Sequence, residues 1–240
     1  MPKFKIAVAC GAMALLAADG MAENGAAARG KKAYGRYCVS CHGVDGDGRG
    51  YEAQHLDPTP RNFTKGSFKW RTTLSGQIPR DEDLLRTIRN GLYGTAMPPW
   101  GALSDPDLKD LVAYVKTFSP RFAKETPDPA ITIPPQPPNT ASSIAAGKEV
   151  YETVQCGQCH GDGGRGDGPS AASLRDEWGQ PIKAHDFTTG NLKCGNAPED
   201  VYRVFMTGLN GTPMPSFADS IAPDKAWELV HYVLSLRQKH

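Results

Sequence analysis

Apolar side chains recur along this chain at helical spacing, in two matching sets. Leu108, Leu111, Val112 and Val115 fall at i, i+3, i+4 and i+7, the stripe of an amphipathic helix, and predict a helix over residues 106–118. Its counterpart is predicted over residues 223–236. Shorter opening helices are predicted over residues 26–37 and 144–154, with small residues toward their fronts. A middle pair starts near Asp81-Glu82-Asp83 and Pro198-Glu199-Asp200, where acids meet the positive end of a helix, and stops at Gly91 and Gly208. The expected fold class is all-α.

The pairing extends to residue identity. The segment Gly30 to Tyr34 matches Gly147 to Tyr151, and Arg61 to Lys69 matches His185 to Lys193. Gly91 to Pro98 matches Gly208 to Pro215, and Asp110 to Val115 matches Glu228 to Val233. Four blocks in one order are the mark of a duplicated domain. The expected organisation is a leader over residues 1–22, a first domain over 23–118, a proline-rich linker over 119–142 and a second domain over 143–240. Seven prolines in the linker keep it out of helix interiors, so it should run extended and partly as polyproline II along the domains. Composition leaves open whether it is packed or loose.

Each copy contains Cys-x-x-Cys-His: Cys38, Cys41 and His42 in the first, Cys156, Cys159 and His160 in the second. Two thiols on one helical turn can each bond a vinyl group of one porphyrin, and the following histidine is held beneath the iron. A redox dithiol would need a strand-turn-helix context that is absent. A four-cysteine zinc site fits poorly with a histidine after each pair. Two covalently bound haem c groups are expected. The glycine-rich loops after the motifs, residues 43–50 and 161–168, match neither Walker nor calcium-loop spacing, and are expected to let backbone pass the porphyrin edge.

Beyond the leader only Met97, Met206 and Met214 remain. Met97 and Met214 share a repeat position in a Gly-Thr-x-Met-Pro turn, 55 and 54 residues after their histidines, and are the expected sixth ligands. Met206 falls inside the middle helix, as a core-filling methionine would. Phe63, Phe68, Leu92 and Trp100, with Phe187, Leu192, Leu209 and Phe217, are expected to wall the porphyrins. Arg61 and His185 share a repeat position and are candidates to meet propionates. Cys194 aligns with Trp70 and has no cysteine left to pair with. Its readings are an inert buried thiol, a thiolate ligand to the second haem, or a reactive sulfur.

Charge changes the picture modestly. The mature chain is neutral in its formal balance, yet residues 23–125 carry 16 Lys and Arg against 12 Asp and Glu, while residues 126–240 carry 9 against 13. Such asymmetry suits halves that face different redox partners, since complementary charge orients encounters. No basic run with interleaved aromatics supports nucleic-acid binding. Lys3 and Lys5, the apolar residues 6–18 and the small residues before Glu23 read as a cleaved signal peptide and a periplasmic location. Thirteen apolar residues fall short of the ~20 that span a bilayer, and no later segment reaches that length. Peripheral association with a membrane complex stays open.

With these motifs the chain resembles a duplicated class I cytochrome c, similar in plan to the dihaem cytochrome c4 group and to dihaem subunits of respiratory enzymes. The resemblance implies two tandem all-α cytochrome c domains with crossing terminal helices, Gly30 and Gly147 lying opposite Tyr114 and Tyr232. It implies a carrier of single electrons between a dehydrogenase or quinol-oxidising complex and a terminal oxidase or reductase. The alternative is a sulfur-compound oxidoreductase similar to thiosulfate dehydrogenases, in which Cys194 would ligate a haem. The long linker, and 34 positions from Phe63 to Met97 against 27 from Phe187 to Met214, depart from a compact c4 protein and leave the haem–haem distance open.

Overall fold

The computed structural model describes residues 12–237, with side chains from residue 25 onward. Among these residues the chain is helical, and its only β feature is an isolated bridge between Arg175 and Pro181. The first copy contains α1 (Ala12–Tyr37), α2 (Val39–His42), α3 (Asp81–Asn90) and α4 (Asp105–Lys116). After α5 (Arg121–Lys124), the second contains α6 (Ala141–Thr153), α7 (Gly157–His160), α8 (Pro198–Thr207) and α9 (Pro223–Ser235). The helix α1 starts earlier than expected and runs through residues 12–22 of the anticipated leader, whose basic start lies outside the described residues.

Each domain is closed by its terminal helices, α1 on α4 and α6 on α9. A Cβ on Gly30 would sit 1.9 Å from the Asp110 carbonyl oxygen, and one on Gly147 would sit 1.9 Å from that of Glu228. Only glycine permits backbones to approach this closely. The tyrosines beside each crossing then lock the next element. Tyr34 and Tyr151 meet Tyr114 and Tyr232 edge-on at 5.2 Å, and their hydroxyls donate to the carbonyls of Gly43 (2.7 Å) and Gly161 (2.6 Å). The start of each glycine-rich loop is thereby tied to the opening helix. These loops do not border the cofactor cavity. The nearest neighbours of a Cβ at Gly46 and Gly164 would be Phe118 and Leu236, so the loops pack behind the haem motif on the protein itself.

The proline-rich segment is packed. Beyond α5 it is extended, and its Ile131 N–H donates to the Thr72 carbonyl of the first domain at 2.8 Å. Its Pro134 carbonyl accepts from Trp227 Nε1 of the second domain, and Gln136 reaches His231 Nε2 at 3.1 Å. The other ring nitrogen of His231 meets Ser143 Oγ at 2.9 Å, so this buried histidine is fully employed in seating the linker.

The similar histidine-to-methionine intervals conceal two compensating insertions. His42 to Phe63 is 21 positions and His160 to Phe187 is 27, while the following intervals to methionine are 34 and 27. Both extra segments lie in the seam between the domains. From the first domain, Arg71 donates to the Thr207 carbonyl and Gly76 N–H donates to Asn210 Oδ1 at 3.1 Å. From the second, Glu177 pairs with Arg61 at 3.2 Å, and Trp178 lies under the Arg61 guanidinium, 4.7 Å from ring centroid to carbon. The added residues that depart from a compact c4 plan are the ones that join the two domains.

Candidate functional site

The two haem motifs and both turn methionines open onto one continuous cavity of about 910 Å3. Cys38, Cys41, His42 and Met97 line it from the first domain, and Cys156, Cys159, His160 and Met214 from the second. The eight side chains expected around the porphyrins, Phe63, Phe68, Leu92, Trp100, Phe187, Leu192, Leu209 and Phe217, all line it too. Met206 does not; it packs into the core of the second domain. The shared cavity brings the two motifs together across the seam, the arrangement that the long linker left open.

Each histidine is oriented from behind. His42 Nδ1 donates to the Arg61 carbonyl at 3.0 Å, and His160 Nδ1 donates to the His185 carbonyl at 3.0 Å. A carbonyl can only accept, so the proton sits on Nδ1 and the Nε2 lone pair is left for a metal. The rings stack on Phe63 and Phe187 at 4.4 and 4.5 Å, which removes their remaining rotational freedom. Burial pushes both imidazole pKa values down and keeps the rings neutral, the form that ligates. The shared repeat position of Arg61 and His185 is therefore explained first by its backbone carbonyl. The Arg61 side chain is turned to the seam, where it also donates to the Asn210 carbonyl at 3.0 Å.

The methionine turns are built alike. Leu92 N–H donates to the Met97 carbonyl at 3.0 Å, and Leu209 N–H donates to that of Met214 at 3.1 Å. Thr95 and Thr212 each donate through Oγ1 to the preceding leucine carbonyl, and each accepts from the methionine N–H, at 3.1 and 3.2 Å. The threonine of Gly-Thr-x-Met-Pro is thus the clip of the turn. Gly91 and Gly208 open these turns at φ of 63° and 64° with ψ near 180°, a region open to glycine alone.

The cavity suits an apolar disc with a carboxylate edge. Its walls are aromatic and aliphatic, and the cysteines on it are free of disulfides. Arg61, Lys69 and Lys193 gather in one group beside Asp176 and Glu177, while Lys183 on the same lining pairs with Asp57. Burial, with the nearby charges of Arg61 and Lys193, holds the Lys69 pKa down at about 8. Buried Trp178 Nε1 and His185 Nε2 have no hydrogen-bond partner, and both residues line the cavity. Apolar walls with a cluster of under-compensated donors fit a haem and its propionates. Sequence reasoning missed Lys69, Lys193 and Trp178. The lysines share a repeat position, the one signal that could have found them; Trp178 lies in an unmatched insertion.

Cys194 also lines the cavity. Its thiol packs on the second domain's core, and burial pushes its pKa up to about 12. Such a thiol stays protonated near neutrality.

Fold and site together define two tandem cytochrome c domains. The model of the family described as cytochrome C oxidase, cbb3-type, subunit III, matches residues 25–115 and 142–233, and the chain belongs to this family. Among curated proteins it is 24% identical over 216 residues to the cbb3-type cytochrome c oxidase subunit FixP of Azorhizobium caulinodans, covering 88% of this chain and 60% of that one. It is 25% identical to subunit CcoP of Helicobacter pylori, covering 78% of this chain and 56% of that protein. The chain thus spans little more than half the length of these relatives. A chain of the Kuenenia stuttgartiensis reducing HAO-like protein complex Kustc0457/Kustc0458 superposes with a TM-score of 0.86 at 48% identity, covering 88% of this chain and 96% of that one. Among the described residues no helix is long and apolar enough to cross a membrane.

Proposed function

We propose that this chain is an exported dihaem c-type cytochrome that passes single electrons within a complex with an HAO-like protein. Cys38 and Cys41 bond one haem, Cys156 and Cys159 the other. His42 with Met97, and His160 with Met214, would hold the two irons. The observation that carries this reading is the doubled arrangement on one cavity: each histidine held by a carbonyl behind it and each methionine in a threonine-clipped turn. The partner is drawn from the reducing HAO-like complex, whose chain is 48% identical to this one. The wider role is transfer between a dehydrogenase or quinol-oxidising complex and a terminal reductase or oxidase. Cleavage after residue 22 and a periplasmic location belong to the same proposal.

Bound haem c supplies an iron that cycles between ferric and ferrous states. The protein's part is to keep the surroundings the same in both. His42 and His160 cannot swing, because Nδ1 is bonded and one ring face is stacked. The thioethers of Met97 and Met214 are soft neutral donors that favour the reduced state. Apolar walls exclude water, and the cluster of Arg61, Lys69 and Lys193 balances carboxylate charge that would otherwise be buried alone. A sulfur-compound oxidoreductase with Cys194 as ligand is less well supported. The Met214 turn repeats that of Met97 bond for bond, so the second site carries the same sixth-ligand candidate as the first.

Intact mass and near-infrared magnetic circular dichroism of the purified ferric protein test the assignment. Two added haem masses and two methionine-to-iron charge-transfer signals per chain are expected. One signal beside a thiolate-type spectrum would overturn it. The partner is tested by mixing the reduced cytochrome with a purified HAO-like protein and following haem oxidation in a stopped-flow instrument. No oxidation above the buffer rate would remove that partner and leave the ligand assignment standing.

A further inference from the structure

The two methionine turns share their internal bonds but not their surroundings. Around the second, five hydrogen bonds join it to the first domain. Arg71 donates through Nη2 to the Thr207 carbonyl and through Nη1 to that of Gly208. Arg61 donates to the Asn210 carbonyl, Gly76 N–H to Asn210 Oδ1, and Asn210 Nδ2 in turn donates to the Gln77 carbonyl. Among the described residues the first turn has no such support: Tyr93, at the position of Asn210, is 63% exposed, and a Cβ on Gly94 would meet nothing within 4 Å. In the repeat register the counterpart of Arg71 is Gly195, so the second domain has no arginine to return the contact.

Arg71 is placed where such a contact has most leverage. It is 1% exposed, and all of its hydrogen-bond partners are backbone carbonyls. Two are Phe68 and Leu74 of its own domain. The other two close α8, where terminal carbonyls lack helical partners and carry the negative end of the helix dipole. From that point the chain leaves the helix to present Met214. A cation fastened there sets the direction in which the turn begins.

We infer that Arg71 is a positioning residue for Met214, through which the first domain locks the second site while Met97 is left in an unsupported, more readily displaced turn. This inference rests on the reading of Met97 and Met214 as axial ligands. If the turn must lift away before another ligand reaches the iron, loosening it raises the apparent affinity for that competitor in proportion to the open population.

The experiment is an imidazole titration of the full ferric holoprotein, followed through the methionine-to-iron charge-transfer signal of each haem. In the unaltered protein, imidazole should displace one methionine at lower concentration than the other, and a Met97→Ala variant should have lost the weaker of the two. Arg71→Met should raise imidazole affinity at the remaining, tighter haem by roughly tenfold, the scale of a lost charged hydrogen bond. Arg71→Lys, which keeps the charge at α8, should recover part of this. Asn210→Ala should shift the same haem in the same direction by less, and it decides the matter if Arg71→Met yields no holoprotein. Unchanged affinities, or equal shifts at both haems, would overturn the inference and reduce Arg71 to interface packing. If Met214→Ala keeps both charge-transfer signals, the ligand assignment itself falls, a separate result from either.

Discussion

The Met97 and Met214 turns are near-copies in sequence and in internal hydrogen bonding, yet one ends in solvent and the other against a neighbouring domain. Gly91 to Met97 projects Tyr93 outward, while Gly208 to Met214 is held by Arg61, Arg71 and Gly76 of the first domain. Duplication copied the turn, and two unequal insertions then gave the copies different environments. Equal local structure therefore does not make equal sites. What separates them is the number of outside partners that must be broken before the turn can move.

The bluntest way to break this comparison is to remove the sulfurs. Met97→Ala and Met214→Ala should each leave both haems covalently attached, open one iron to carbon monoxide and lower one midpoint potential, by on the order of 0.1 V within the roughly 0.8 V that axial ligands span. Spectroelectrochemistry that finds unchanged potentials would remove the ligand assignment. A sharper probe is the glycine that opens each turn. Gly91→Ala and Gly208→Ala force a Cβ into a glycine-only conformation, to within 2.6 Å of Pro98 and Ser216 backbone, at a cost of about 1–3 kcal/mol each. In the first domain the turn can yield, so the loss should appear as weakened Met97 ligation. In the second, braced from outside, it should appear instead as a lower melting temperature; the reverse pattern would contradict the asymmetry.

The smallest expected effect belongs to Cys194. Its folded pKa lies above the ordinary thiol value of 9.0, at about 12, so the folded state holds the proton more tightly than the unfolded chain. Any stability linked to it is intact below pH 9 and is lost as pH rises through that window. Cys194→Ala should leave both charge-transfer signals unchanged at neutral pH and flatten the alkaline fall in stability. A changed signal at the second haem would revive the thiolate reading.

Much of the site was legible because its signals are local. Cys-x-x-Cys-His spans five residues, the stripe of Leu108, Leu111, Val112 and Val115 spans one helix, and the threonine clip reaches two residues to its methionine. Elimination isolated Met97 and Met214 as candidates and set Met206 aside, and the structure puts the first two on the cavity and the third in the core. The glycine-rich loops were misread because their neighbours, Phe118 and Leu236, come from the far end of each domain. The linker could not be judged either, since proline content speaks to backbone shape and not to what Ile131, Pro134 and Gln136 touch.

By itself, then, the sequence determined the class of the fold, its duplication, the haem motifs and the candidate methionines, all of which are written in short-range pattern and in repetition. Tertiary structure alone decided that the two sites share a cavity, that Lys69 and Lys193 join Arg61 beside it, and that Arg71 reaches Thr207 across the seam. Arg71 and Thr207 lie 136 positions apart, and no periodicity or spacing encodes such a pair. Their meeting follows from the insertion after Phe63, which carries Arg71 to the end of α8, where a buried cation and the closing carbonyls satisfy one another out of reach of water.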